Sequence, residues 1–269
     1  MQKLLNGRDL ADYIKERQGG QVRALVQAHG IKPKLAILTT GNNSVIEVYM
    51  RMKQRYGADI GVEVEIHTVD QAELLPLIKK LNKDDSVQAM IVQLPLQDPS
   101  QTDEVVDAIA PAKDVDALGK RAIYEPATPL SILWLLAGYN VDLKTQHILL
   151  IGRGKLVGAP LERMFTDSKF NFEVANSKVT DLKAMTLKAD VIITATGRAG
   201  IVRADMIKPG AVVVDAGTAS EGGKTVGDLD SDVYERDDIT LTPKKGGVGP
   251  LTVCALFENT IRACQELQK

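Results

Sequence analysis

Short apolar runs alternate along the chain with longer segments in which apolar residues recur at helical spacing. The apolar runs predict strands at residues 34–40, 62–69, 89–94, 148–151, 172–175, 191–194, 211–215 and 239–242. The other segments predict helices at residues 9–29 (one helix or a broken pair), 44–56, 72–81, 102–109, 128–139 and 251–267. This alternation is typical of an α/β fold, in which parallel sheets carry helices on both faces.

Three local signals concern the ends of these helices. Gly30 is placed to end the first helix, because glycine readily adopts the left-handed conformation found there. Ser44 and Glu47 match a capping box at the start of the second helix. Pro76 fits poorly inside a helix, so the third helix is expected to begin later or to kink.

The length of 269 residues is enough for two domains of common size. An N-terminal α/β domain is predicted at residues 1–127 and a Rossmann-like nucleotide-binding domain at residues 128–250. No long flexible linker separates them, so helices are expected to join the two halves.

Charge and hydropathy exclude several classes of partner. The formal net charge of −2 and the pI near 6.0 give no basic footprint for nucleic acid or for an anionic membrane. No apolar run approaches the roughly 18 to 20 residues that span a bilayer, and the polar start does not resemble a signal peptide. We therefore expect a cytoplasmic protein that binds a small molecule.

The cysteines and histidines suggest neither a disulfide nor a metal site. Cys254 and Cys264 fall in one predicted helix, roughly 15 Å apart, which is too far for a disulfide. Both are expected to be buried as small apolar residues. His29, His67 and His147 are isolated and show no ligand spacing, so no metal is predicted.

A glycine-spaced turn follows the predicted strand at residues 148–151 and reads G-R-G-K-L-V-G. Gly152 can form a tight turn, Gly154 lets the backbone approach a pyrophosphate, and Gly158 allows the next helix to pack closely. The start of that helix would hold the phosphate charge. The spacing differs from G-x-G-x-x-G, but its strand and helix context favours a nucleotide site over an incidental turn.

The next predicted strand, at residues 172–175, indicates which nucleotide is bound. An NAD site usually has an acidic residue at the end of this strand, whereas this chain has Asn176, Ser177 and Lys178. A hydroxyl group and a cation suit a 2′-phosphate, and Arg153 could add a second cation. NADP is therefore favoured over NAD, although each cation taken singly would more often be an ordinary surface residue.

A second candidate site combines Tyr49, Lys53, Gln93 and Asp116. Tyr49 and Lys53 are four residues apart in a predicted helix and share a face, which alone is more typical of a solvated lysine. Gln93 ends a buried strand, and Asp116 lies in a loop after the following helix. If the four converge, they could bind a flat heterocycle and move a proton.

The chain resembles the family of bifunctional methylenetetrahydrofolate dehydrogenases and methenyltetrahydrofolate cyclohydrolases. Y-M-R-M-K, I-V-Q-L-P-L, K-D-V-D, P-A-T-P, the glycine turn and G-G-V-G-P-L-T match its motifs in order from Leu5 to Gln265. The resemblance implies NADP-dependent oxidation of 5,10-methylenetetrahydrofolate and hydrolysis of the product to 10-formyltetrahydrofolate. It also implies an active-site cleft between two domains, a last helix at 251–269 that packs on the N-terminal domain, and a homodimer.

The resemblance assigns roles to individual residues. Lys53 would transfer protons, Tyr49 would stack on the folate, Gln93 would hold Lys53, and Asp116 would hydrogen-bond the pterin. Further substrate contacts are implied at Leu94, Pro95, Gly247, Gly249 and Pro250. Cofactor contacts are implied at Gly152, Arg153, Gly154, Lys155, Val157, Gly158, Ser177, Thr196 and Gly197.

The chain departs from the family pattern near the expected folate pocket. Ile46 and Ala117 replace a serine and a glycine, and the segment after Asp116 is about ten residues shorter. Lys244 and Lys245 replace an apolar residue and a proline, and could meet a polyglutamate tail or be solvated. These differences keep two alternatives open: a member with one activity, and a non-catalytic nucleotide-binding protein. A shikimate-type dehydrogenase, with a similar two-domain layout, is a third alternative.

Overall fold

The computed structural model describes residues 3–41, 44–221 and 224–266 as an α/β protein. The strands are β1 (Lys3–Leu4), β2 (Lys34–Thr39), β3 (Glu63–Thr68), β4 (Ala89–Val92), β5 (Ile148–Ile151), β6 (Phe172–Ala175), β7 (Val191–Thr194), β8 (Val212–Asp215), β9 (Ala219–Glu221), β10 (Lys224–Val226) and β11 (Thr240–Leu241). The helices are α1 (Gly7–His29), α2 (Ser44–Ile60), α3 (Gln71–Asn82), α4 (Thr102–Asp107), α5 (Ala127–Gly138), α6 (Gly158–Asp167), α7 (Leu182–Thr186) and α8 (Val248–Glu266).

The chain forms two compact units. The first, which we call the glycine-turn unit, contains Met1–Ala11 and Thr128–Thr252; the second, the lysine unit, contains Asp12–Ala127 and Val253–Lys269. The first eleven residues therefore lie outside the unit that the predicted boundaries gave them. The reason is β1, whose Leu4 is in register with Leu241 of β11. A two-residue strand is too short to be seen as a hydrophobic pattern.

The glycine-turn unit is built on a six-stranded parallel sheet in the order β1-β11-β8-β7-β5-β6. Its central strands are apolar at nearly every position because both faces of the sheet are covered. Leu149, Ile192 and Val213 have no exposed surface and belong to one core cluster. The carboxyl ends of β5, β7 and β8 consequently meet at one edge of the sheet.

The lysine unit has a three-stranded parallel sheet in the order β3-β2-β4. The segment after α4 runs beside β4, where the amide of Met90 donates to the carbonyl of Lys113 at 2.7 Å. The side chain of Asn259 in α8 donates to the carbonyls of Val115 and Glu125, each at 2.9 Å. The last helix thus holds the loop that contains Asp116.

The predicted elements are present, with shifted ends. The opening segment is one helix, and Gly30 follows it with φ +67°. Helix α2 runs to Ile60 instead of residue 56, and α3 contains Pro76 although it begins at Gln71. The Ser44 side chain lies outside the described residues, so the capping box does too. Strands β1, β9 and β10 and helix α7 were not predicted.

Both cysteines are buried, as expected, and neither forms a disulfide. In the described ranges, no group of three or more histidine, cysteine or acidic residues is placed to hold a metal ion. Within the same ranges, no helix combines the length and the apolar character needed to cross a bilayer.

Candidate active site and cofactor site

Lys53 and Gln93 are in direct contact in the lysine unit. The Lys53 ammonium Nζ donates to Gln93 Oε1 at 2.8 Å. Gln93 follows β4, and its own amide donates to the Leu38 carbonyl at 2.8 Å, which continues the sheet pairing. Its side-chain Nε2 donates to the Leu94 carbonyl at 3.0 Å, so Oε1 is the atom directed at the lysine.

Asp116 is the charged neighbour of Lys53. Burial lowers the pKa of Lys53, and the Asp116 carboxylate opposes that shift in part. Burial likewise raises the pKa of Asp116, with Lys53 acting in the opposite direction. Because both charged forms are disfavoured by burial, the neutral amine needed for a base is more accessible here than on a solvated lysine.

Asp114 was not predicted as a site residue, yet it fixes the loop that follows Asp116. Its Oδ1 accepts the Ala117 amide at 3.0 Å and its Oδ2 accepts the Gly119 amide at 2.9 Å. Burial raises the pKa of Asp114 to about 6 although these amides lower it. Ala117 has φ +56°, a left-handed conformation that explains why a glycine suits this position. The sequence signal was the first aspartate of K-D-V-D.

An exposed apolar strip lies on α2 next to Lys53. Val48, Tyr49 and Met52 keep 51%, 44% and 44% of their surface exposed, whereas Ile46 is buried. An exposed tyrosine among apolar side chains can stack on a flat ring system. The predicted substrate residues Leu94 and Pro95 follow Gln93 and are joined by a cis peptide bond.

The glycine turn has the close packing that its spacing predicts. Gly152 has φ +103°, and a Cβ there would lie 2.5 Å from the carbonyl oxygen of Ala195. A Cβ on Gly158 would lie 2.3 Å from the carbonyl oxygen of Gly152. Gly154 differs, because its Cβ would meet nothing closer than 4.0 Å. Gly154 therefore leaves the backbone open to a ligand, while the other two glycines are required by the fold.

A cavity of about 260 Å³ lies beside this turn. The predicted cofactor residues Gly154, Lys155, Val157, Thr196 and Gly197 line it. Three further parts complete the lining and were not predicted: Leu156, Ala195 and the turn at residues 216–218. The turns after β5, β7 and β8 thus converge on one space, as expected at the carboxyl ends of parallel strands.

One of the side chains expected to bind the 2′-phosphate is already engaged in an ion pair. Arg153 Nε donates to Glu162 Oε2 at 2.5 Å, so one of the two cations already has a carboxylate partner. Ser177 and Lys178 are exposed in the turn after β6. That turn is shaped by the Asn176 side chain, whose Oδ1 accepts the Lys178 amide at 2.9 Å.

The remaining predicted substrate residues, Gly247, Gly249 and Pro250, lie in the glycine-turn unit around the start of α8. Gly7 approaches this segment so closely that its Cβ would be 1.8 Å from the carbonyl oxygen of Gly247. Lys244 Nζ lies 4.8 Å from the centre of the Tyr234 ring. This lysine is thus held on an aromatic face.

Comparison with known proteins assigns both halves of the chain. The family model for the catalytic domain of tetrahydrofolate dehydrogenase/cyclohydrolase matches residues 5–116, and that for its NAD(P)-binding domain matches residues 126–268. The bifunctional protein FolD of Francisella philomiragia is 35% identical over 99% of each chain. That of Geobacillus thermodenitrificans is 35% identical over 98% of each.

Solved structures agree with this assignment. The bifunctional enzyme FolD of Campylobacter jejuni is 33% identical, covers 99% of this chain and 100% of its own, and superposes with a TM-score of 0.91. Shikimate 5-dehydrogenase of Listeria monocytogenes shares only the fold, at 12% identity over 89% of this chain and 97% of its own, with a TM-score of 0.54. The chain therefore belongs to the tetrahydrofolate dehydrogenase/cyclohydrolase family.

Proposed function

We propose that the protein oxidises 5,10-methylenetetrahydrofolate with NADP and hydrolyses the resulting methenyl compound to 10-formyltetrahydrofolate. The observation that carries the proposal is the 2.8 Å contact between Lys53 and Gln93. It occurs in a chain whose two halves match the catalytic and the nucleotide-binding domain models of one family.

In the hydride-transfer step, the protein's contribution is to position the reactants. NADP supplies the hydride acceptor when bound, and the Gly154 backbone with the Thr196 turn offers a cavity with room for part of it. Arg153 and Ser177 would bind its 2′-phosphate, as the family resemblance implies. Support for NADP also comes from the Trypanosoma brucei relative, which was solved with NADP and is 26% identical over 100% of this chain and 99% of its own, with a TM-score of 0.91.

In the hydrolysis step, Lys53 moves the protons. Water attacks the methenyl carbon, and the neutral Lys53 amine takes a proton as the carbon–oxygen bond forms. The ammonium can return that proton to the folate nitrogen as its bond to carbon breaks, and the hydroxyl proton of the intermediate leaves to solvent as the formyl C=O bond forms. Gln93 orients Lys53, Tyr49 stacks on the folate, and Asp116 binds the pterin.

The test is to incubate the pure protein with methylenetetrahydrofolate and NADP and to follow absorbance during both steps. We expect formation of the methenyl compound, followed by its loss faster than the spontaneous rate. Hydrolysis of the methenyl compound at only the spontaneous rate would indicate a family member that has the dehydrogenase activity alone. No turnover with NADP or NAD would refute the proposal and favour a non-catalytic nucleotide-binding protein.

We also propose, from the family resemblance, that the protein is a cytoplasmic homodimer. Light scattering should then give twice the 29.2 kDa mass of one chain. A single-chain mass at working concentration would contradict the dimer, and recovery in the membrane fraction of lysed cells would contradict the location.

A further inference from the structure

Two carboxylates, the partly buried Asp215 and the buried Asp228, lie beneath the turns that line the cofactor cavity. Asp215 ends β8, and Asp228 has no exposed surface. A buried carboxylate is costly unless hydrogen bonds compensate it, so its partners reveal what it holds in place. Neither residue has a role in the mechanism above.

Asp228 holds the turn after β7 by two backbone amides. Its Oδ2 accepts the Thr196 amide at 2.7 Å, and its Oδ1 accepts the Arg198 amide at 2.9 Å. Gly197 lies between them with φ +65°. Thr196 and Gly197 both line the cavity, so one carboxylate fixes this part of its wall.

Asp215 connects this arrangement to the neighbouring turn. Its Oδ1 accepts the amides of Gly217 at 2.9 Å and of Asp228 at 3.0 Å, and its Oδ2 accepts the Leu229 amide at 3.1 Å. Gly217 also lines the cavity. Asp215 therefore holds the Gly217 turn directly. It also holds the backbone of Asp228, the residue that fixes the Thr196 turn.

Glycines pack closely against both carboxylates. A Cβ on Gly217 would lie 2.1 Å from Asp228 Cγ, and a Cβ on Gly227 would lie 2.0 Å from Asp215 Oδ2. Burial and the nearby Asp228 carboxylate raise the pKa of Asp215, although the amides it accepts lower that pKa. A shift of either turn would therefore break hydrogen bonds that these carboxylates accept.

We propose that Asp228, supported by Asp215, is a positioning residue of the cofactor site that keeps the Thr196–Arg198 turn in its dinucleotide-binding conformation. The proposal rests on the function proposed above, because it takes the cavity to be the NADP site. Both Asp228 oxygens accept amide hydrogens, so Asp228→Asn must direct its own NH2 group at one of them. The binding conformation would then be a smaller fraction of the free protein, and the apparent affinity for the dinucleotide is its intrinsic affinity multiplied by that fraction.

The experiment measures NADPH binding by fluorescence titration together with hydrolysis of methenyltetrahydrofolate. Asp228→Asn should raise the dissociation constant for NADPH about tenfold or more, as expected for an unmade buried hydrogen bond. Dehydrogenase kcat should recover at saturating NADP, and hydrolysis should stay unchanged. The matched control is Asp232→Asn, whose carboxylate accepts the Ala204 amide at 3.0 Å in a turn that does not line the cavity.

An unchanged dissociation constant in folded Asp228→Asn would overturn the proposal. A lower melting temperature and lower kcat with unchanged NADP KM would also overturn it, because a purely structural role predicts that combination. If wild-type protein binds NADPH but does not oxidise the folate, the proposed function fails while this inference is still tested by binding.

Two further measurements apply if Asp228→Asn does not fold. Asp215→Asn is milder, because its remaining oxygen can still accept from Gly217 and Asp228, and it should weaken NADPH binding by a smaller factor. In wild-type protein without NADPH, the amides of Thr196 and Arg198 should exchange slowly with deuterium. Fast exchange of both would show that the turn is not held in advance and would overturn the proposal.

Discussion

The two units build their sites from different groups: side chains in the lysine unit, and main chain with small residues in the glycine-turn unit. In the lysine unit the chemistry lies in side chains, since Lys53 contacts Gln93 and is electrostatically coupled to Asp116. In the glycine-turn unit the cavity is lined mainly by backbone and small residues. Catalysis in the lysine unit therefore depends on protonation states, whereas cofactor binding in the glycine-turn unit depends on the space around the main chain. The same kind of substitution should affect them in different ways.

The largest effect is expected for Lys53→Met, which keeps much of the side-chain volume but removes the amine. Hydrolysis of methenyltetrahydrofolate should fall by about 100-fold or more, because a positioned proton-transfer group contributes on the order of 100- to 10,000-fold. NADPH binding should be unchanged, and some dehydrogenase activity can survive because hydride transfer depends mainly on positioning.

The measurement is the hydrolysis rate corrected for the spontaneous reaction. Arg55→Met is the matched control, because it removes an exposed cation from the same helix. Equal rates for wild type and Lys53→Met would show that Lys53 is an ordinary helix lysine, and the contrast between the two units would then disappear.

The second prediction compares two glycines of the same turn. Gly158→Ala places a Cβ 2.3 Å from the Gly152 carbonyl oxygen and should cost about 1 to 3 kcal/mol of stability as well as NADP affinity. Gly154→Ala meets nothing closer than 4.0 Å, so it should lower NADP affinity without lowering the melting temperature. Thermal melts and NADPH titrations check both. Equal melting temperatures for the two variants would contradict this reading of the turn.

The third prediction concerns the pH dependence of hydrolysis. Activity should rise with pH as Lys53 loses its proton, since the neutral amine is the base. The Asp116 carboxylate raises the pKa of Lys53, so Asp116→Asn should lower that pKa and move the rise in activity to lower pH. Profiles of kcat at saturating folate provide the measurement. A shift to higher pH would mean that Asp116 does not act on Lys53 through its charge.

The smallest effect is expected at Arg153, because Glu162 already pairs with it. Arg153→Gln should reduce the preference for NADP over NAD by less than about fivefold, as is usual for an exposed charge pair. Glu162→Gln should increase the preference slightly by releasing the arginine. Titration of both cofactors against each variant tests this. A change of the same sign in both variants would show that the pair does not tune cofactor choice.

Much of the architecture could be predicted because buried parallel strands have unbroken apolar runs. Strands β5, β6 and β7 lie where the pattern placed them. Strand β1 could not be found, because two residues carry no periodicity and its partner β11 is distant in sequence. The predicted end of helix α2, at residue 56, was four residues too early. The helix continues through Gly57, where a Cβ would lie 2.5 Å from the Val64 side chain, so close packing explains that glycine.

The sequence could predict the part of the candidate site that lies at the carboxyl ends of the parallel strands. Gln93 follows β4, and the side chain of Lys53 reaches it from α2. Asp114 and Asp228 were missed because their importance lies in the backbone amides that they accept. Amide partners have no signature in a sequence. The Glu162 partner of Arg153 was missed for a related reason, since their contact depends on how the turn enters α6.

Because residues 1–11 belong to the glycine-turn unit, neither folding during translation nor folding of separately expressed fragments can follow a simple division of the chain into halves. The chain leaves this unit within α1, returns at the start of α5 and leaves again within α8, so each unit is made of two separate segments. The lysine unit cannot be completed on the ribosome before residues 253–266 emerge, although most of it is translated first. Two fragments divided after residue 127 would separate β1 from β11 and Asn259 from Val115, so functional halves of this protein should be obtained only by co-folding.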